Sequence, residues 1–123
     1  MFTAVETKDG SSTFYSEQFG EWFHSREGAR NEVQKTYVET TRIQTRSQKP
    51  QLHILDICDG LGYNSAAALE AAFEADAFNR TTPCEIEIKG LEIDIEVPRS
   101  AIAQGLTQHY RQDVQQMLQA LAQ

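Results

Sequence analysis

The feature that most constrains this chain is a short apolar run followed by a glycine turn, a helical pattern and a second strand that ends in acids. Residues 52–57 (LHILDI) are apolar and β-rich, as a buried strand should be. The chain then turns through Asp59-Gly60-Leu61-Gly62. A helix is predicted over about 64–78, with Asn64 or Ser65 as cap and Ala66, Leu69 and Phe73 as its buried stripe. Residues 85–93 alternate acid and isoleucine and then change phase at Gly90, which predicts a bulge or entry into a more buried environment. The stretch closes on Gly90-Leu91-Glu92-Ile93-Asp94. Strand, glycine turn, helix and acid-ended strand make the nucleotide-binding half-unit of a doubly wound α/β fold.

The chemistry follows from the parts. Glycines let the backbone bend tightly and approach a ligand closely. The helix N-terminus presents free N–H groups. An acid closing the next strand accepts hydrogen bonds from both ribose hydroxyls. The dinucleotide fingerprint wants a third small position and an acid about 20 residues on. Here Ser65 holds that position and Glu92 lies well beyond the interval. Asp56 and Asp59 would also repel a pyrophosphate. S-adenosylmethionine (SAM) carries a sulfonium and an ammonium against one carboxylate, so it is a net cation. An acidic pocket of Asp56, Asp59 and Glu92 suits it better.

The flanking segments are simpler. Residues 2–6 and 13–16 flank Asp9-Gly10 and predict a hairpin. Phe14, Phe19, Trp22 and Phe23 predict a satellite core under a loop. A helix capped by Ser25 follows, with Ala29, Val33, Tyr37 and Val38 as its apolar stripe. Arg26, Arg30, Lys35 and Arg42 read as its solvated face. Residues 44–51 are polar, contain Pro50 and read as a connection. Downstream, Pro98 is placed as a first helical residue and Gly105 as a break. Val114, Leu118 and Leu121 line the last helix. Two segments result: a hairpin and helix over 1–50, and over 51–123 the first half (βαβα) of a Rossmann-like fold with an incomplete sheet.

Charge narrows the function classes. Residues 1–50 carry seven acids and seven bases, whereas 51–123 carry eleven acids and four bases, the whole formal charge of −7. A protein that binds nucleic acid unaided usually shows a basic patch, and no basic patch is legible here. Nothing metal-like surrounds Cys58 or Cys84, and two cysteines make no disulfide framework. No apolar run approaches the roughly 20 residues of a membrane span, and no secretory signal is legible. A cytoplasmic protein is expected.

The residues also resemble a known family. Asp9-Gly10-Ser11, Thr13-Phe14-Tyr15-Ser16, Phe19-Gly20-Glu21, Phe23-His24-Ser25 and Gly28-Ala29 look like the N-terminal segment of MnmC-type tRNA methyltransferases. Residues 54–65 resemble their SAM loop, and Leu91-Glu92-Ile93-Asp94 with Val97-Pro98 resembles their ribose-binding strand end. The similarity runs in register from about residue 5 to about residue 105. It implies methyl transfer from SAM to the exocyclic amine of 5-aminomethyl-2-thiouridine in tRNA. By position, Cys58, Gly60 and Gly62 would hold the methionine part and Glu92 the ribose. Asn64 would help cap the helix beside the ligand, and His24 and Ser25 would lie near the pocket mouth. For His24 a partly exposed loop histidine is an equal reading. Asp59 departs from the family, which more often has an aromatic or small residue there. The family also implies further parallel strands and an acidic substrate loop, which these residues do not contain.

The first expectation is therefore the SAM-binding portion of a tRNA wobble-uridine methyltransferase, truncated and not active alone. It would pair with another copy or with a missing C-terminal half. The alternative is a non-catalytic oligomeric module, and the third is a dinucleotide-binding fragment.

Overall fold

The computed structural model describes residues 2–123. Strands β1 (Ala4–Glu6), β2 (Ser12–Ser16) and β3 (Glu21–Trp22) form an antiparallel sheet in that order. Ala4 pairs with Phe14 and Glu6 with Ser12, so the expected hairpin forms around Gly10. Strand β3, only two residues long, is too short to show a period.

The hairpin loop does more than turn the chain. Helix α1 (Ala29–Val33) has no side-chain cap of its own. Its first amides donate instead to the distant hairpin: Ala29 to Thr7 Oγ1 at 3.1 Å, Arg30 to Ser11 Oγ at 3.1 Å and Asn31 to Asp9 Oδ2 at 2.9 Å. Three otherwise orphaned helix donors are satisfied across the fold. Ser25 is therefore not the cap; its hydroxyl accepts the Glu27 amide at 3.1 Å. A Cβ at Gly28 would lie 2.8 Å from the Asp9 carboxylate, so glycine lets the two segments meet. Burial pushes the Asp9 pKa up, but hydrogen bonds from Ser11, Asn31 and Thr7 outweigh it and hold the carboxyl at about 2.

Helix α1 continues into a π-helical segment, Gln34–Glu39. Its wider turn buries Val33 and Val38, five residues apart, and leaves Tyr37 exposed. The expected stripe loses Tyr37 for that reason. Arg42 then adopts a left-handed conformation, and α2 (Ile43–Arg46) fills the first half of the expected connection.

Strand β4 (Gln51–Ile57) pairs in parallel with β5 (Glu85–Leu91), and α3 (Tyr63–Glu74) joins them. The register is continuous from Gln51–Glu85 to Ile57–Leu91, so no bulge interrupts it at Gly90. A Cβ there would stand 3.3 Å from the Asp59 carboxyl, and that close approach explains the glycine. Leu52, Ile54, Ile86 and Ile88 face the core with Ala66 and Leu69 of α3. The other face stays open: Leu55 is 60% and Ile57 64% exposed. The strand is thus not buried on both faces as its apolar run predicts, because helices cover one side only. Helix α4 (Glu96–Ala103) carries Pro98 third rather than first. Helix α5 (Gln112–Leu121) buries Val114 and Leu118, while Leu121 is left exposed and Ala122 is buried instead.

Tyr63 joins the two segments of the chain. It is fully buried, and its hydroxyl donates to the Ser12 carbonyl at 2.6 Å, with the Leu106 carbonyl at 3.0 Å. Phe14, Val33 and Val38 share one core with Leu61, Ala66 and Val114.

Asp9→Ala removes a cap worth about 1–2 kcal/mol, and urea denaturation at neutral pH reads that loss. The cap stabilises above the ordinary carboxylate pKa and fades as pH falls toward about 2. The difference between wild type and variant therefore shrinks in acid. A constant difference from pH 7 to 2 would refute the capping role.

Candidate cofactor site

The site is the turn between β4 and α3. Its backbone takes left-handed conformations at Cys58, Gly60 and Gly62, with φ of 63°, 57° and 86°. Glycine adopts them freely, whereas Cys58 carries a strained conformation of the kind that collects at functional turns. The turn is fastened to the end of β5: Asp59 N–H donates to the Leu91 carbonyl at 3.0 Å and Gly60 N–H to Glu92 Oε2 at 2.8 Å. The other Glu92 oxygen accepts the Asp94 amide at 3.1 Å.

Two clefts, of about 410 and 530 Å³, meet at Phe23, Cys58 and Gly60. His24, Glu32, Asp56 and Asn64 line the first. Tyr15, Phe19, Trp22, Glu92 and Asp94 line the second. Glu17 and Glu21 add two more acids there, and neither lining contains a lysine or arginine. Phe14 and Phe23 pack with Phe2 as an aromatic cluster, but it belongs to the main core and not to the expected satellite, because Phe14 is buried among the core residues and Phe2 and Phe23 pack against them. Phe19 instead stands exposed at the second cleft.

Beneath the turn sits a compact acidic cluster. Asp56 and Asp59 are both buried. The Ser65 hydroxyl lies 2.9 Å from Asp56 Oδ2 and 3.1 Å from Asp59 Oδ1. One hydroxyl has one proton, so it donates to one carboxylate and accepts from the other only if that carboxyl is protonated. Burial, with Asp56 beside it, pushes the Asp59 pKa up to about 7. Asn64 Nδ2 donates to Asp56 Oδ1 at 3.1 Å. Asn64 and Ser65 thus do not cap α3: Gly62 occupies the cap, and both side chains anchor Asp56. Asn64 Oδ1 is buried without a partner.

His24 is buried, not partly exposed. Its ring stacks on Tyr63, with centroids 5.2 Å apart, and its Nδ1 is 3.4 Å from Glu32 Oε1. Burial lowers its pKa against the pull of Glu32 and Asp56, which keeps the imidazole neutral at pH 7. Ser25 lines neither cleft; its amide donates to Glu32 Oε2 at 2.6 Å. Glu32 was invisible as a site residue in the sequence, where it is one more acid in a first helical turn. Two of the arginines read as solvated have aromatic partners. Arg26 lies over Trp22, and Arg30 lies over Tyr110 and pairs with Glu70 at 3.3 Å.

No family model matches the chain. Its structure is similar to the crystal structure of MnmC2 from Aquifex aeolicus, with a TM-score of 0.68 and 31% identity over 76% of this chain and 30% of that one. The fold is MnmC-like. The sequence is also 34% identical over 94 residues to uncharacterized protein MJ0670 of Methanocaldococcus jannaschii, covering 76% of this chain and 25% of that protein. The chain spans about a quarter of the length of this curated relative. Among the described residues, no helix is long and apolar enough to cross a membrane, and no group of three or more His, Cys, Asp or Glu is placed to hold a metal ion.

The raised Asp59 pKa sets a pH dependence with a definite sign. Its stabilising contribution is full below the ordinary carboxylate range and is lost as pH rises through about 7. Asp59→Asn removes that loss. The variant should gain on wild type by more than about 1 kcal/mol, roughly one pKa unit, as pH goes from 5 to 8. His24 is present in both proteins, so its lowered pKa affects both alike. Urea midpoints that move in parallel over this range would sink the assignment.

Proposed function

We propose that this chain is the SAM-binding portion of an MnmC-type tRNA wobble-uridine methyltransferase. The observation that carries this reading is the pair of acid-lined clefts, free of lysine and arginine, that meet at the glycine turn. Glu17, Glu21, Glu32, Asp56, Glu92 and Asp94 line them, and a pyrophosphate would face these carboxylates with no cation to offset them. A net cation meets favourable charge on both sides of the turn. Asn64 Oδ1, an acceptor with no donor inside the fold, is a further fit to an ammonium-bearing ligand. The clefts also have the size of ordinary cofactor sites.

Cys58 and Gly60, which border both clefts, would hold the methionine part by backbone approach, while Gly62, buried against Leu118 and lining neither cleft, shapes the turn. Asp56 and Asp59 would supply negative charge beneath the sulfonium. Glu92, which follows the last residue of β5, would bind the ribose hydroxyls by exchanging one of its present amide donors for them. His24, neutral and bordering the first cleft, adds no positive charge against the ligand and would lie on the substrate side. When bound, SAM supplies an electrophilic methyl group to a neutral amine. The amine must be held in line with it. The eleven acids of 51–123 leave contact with tRNA to the neutral first half or to a partner.

The open face of β4–β5 supports a second part of the proposal. Leu55, Ile57 and Leu91 form an apolar patch at the site end of the sheet. Exposed two-stranded parallel sheets are association hazards. A second copy, or further sequence of the same protein, would cover this face. Sedimentation should give a dimer or larger species, and a monomer with one cooperative melt would refute this.

Calorimetry decides the cofactor. SAM should bind and NAD should not, and NAD binding without SAM binding would defeat the proposal. Glu92→Gln should weaken SAM about tenfold, as for one charge-assisted hydrogen bond. Methyl transfer to undermodified tRNA then tests the substrate.

A further inference from the structure

The buried acids raise a question that SAM binding alone does not answer: where their proton goes. Asp56 comes from β4, Asp59 from the turn and Ser65 from α3, and they meet over the backbone of Gly90 in β5. A Cβ at residue 90 would press on the Asp59 carboxyl, so the cluster is closed from below. Asn64 donates to Asp56 from α3, and Glu92 stands beside the turn on the β5 side. Across the first cleft are neutral His24 and Glu32, while the Cys58 thiol is exposed above. No lysine or arginine lines either cleft. Two buried carboxyls served by one hydroxyl proton and one amide are a place where a retained proton is favoured.

We propose that the Asp56–Ser65–Asp59 cluster holds one proton that a sulfonium ligand displaces, so that SAM binds with proton release and its neutral thioether product does not. The proposal rests on the SAM reading of the site. A fixed positive charge over Cys58 and Gly60 supplies to the cluster what the proton supplies in the free protein. The proton leaves to solvent and both carboxylates remain charged beneath the ligand. Methyl transfer removes the charge from sulfur, because the C–S bonding pair stays on sulfur as the methyl passes to the amine. The cluster then takes back one proton, and the charge balance of transfer closes within this site: the methylated ammonium loses one proton and the carboxyl pair gains one. Binding thereby discriminates cofactor from product by charge, with Asp59 as the specificity-determining residue.

Two measurements test this on the whole chain. The first needs no ligand: ¹³C NMR of Asp carboxyls should show one group, absent in Asp59→Asn, that titrates near neutral pH. If every Asp carboxyl is ionised by pH 6, the shared proton does not exist and the proposal falls. The second is calorimetry with SAM and with S-adenosylhomocysteine in phosphate and in Tris. SAM should release up to one proton, and its Kd should fall close to tenfold per pH unit between about 5 and 7. S-adenosylhomocysteine should show no such slope, and Asp59→Asn should flatten the slope for SAM. SAM binding without proton release overturns the inference and leaves the SAM reading standing. Failure of SAM to bind at all overturns that reading and the inference with it.

Discussion

Asp56 ties the end of β4 to the start of α3, and the rest of the site hangs between those two fixed points. One carboxylate oxygen takes the Asn64 amide and the other the Ser65 hydroxyl, so strand and helix are joined by side chains as well as by chain. The turn between them is then short enough to need three left-handed residues. Its outer edge is fastened separately to Leu91 and Glu92. A buried carboxylate is costly unless hydrogen-bonded, and the first turn of α3 meets that cost. Asp59 lies in the same buried place, and burial, with Asp56 beside it, raises its pKa.

The two clefts are a consequence of this anchoring. Because the turn is held up as a ridge, space opens on both sides of it. The hairpin and α1 wall off that space, and they in turn are joined by Thr7, Asp9 and Ser11 at the start of α1. Tyr63 fixes this wall to the second half of the chain through the Ser12 carbonyl. The N-terminal segment is thus part of the site: His24, Glu32, Tyr15 and Trp22 all reach the clefts from it. The likeness to MnmC2 covers 76% of this chain and so extends well beyond the βαβ unit alone.

One face of the parallel pair is packed and the other is not. Ile54 and Ile88 are on the packed face, whereas Leu55, Ile57 and Leu91 are on the open one. In doubly wound folds both faces carry helices. Here α3 covers one face, and the apolar character of the strand exceeds what the observed core uses.

Local pattern alone determined the hairpin, the parallel pair joined by a helix, the two glycines of the turn and the acids around it. These are short-range properties, set by turn chemistry and periodicity. Only the tertiary structure decided the caps, the buried stripe and the reason for Gly90. Ser25 and Asn64 have the right chemistry to cap the helices beside them, yet the cap of α1 lies some twenty residues upstream and that of α3 is a glycine. Tyr37 fits a 3.6-residue period, yet in the π-helical turn it is exposed, and of the two only Val38 is buried. Gly90 read as a bulge or as entry into a more buried environment, and its actual reason is the Asp59 carboxyl packed against it. Each of these depends on which distant atoms come within about 3 Å, a distance that spacing along the chain does not encode.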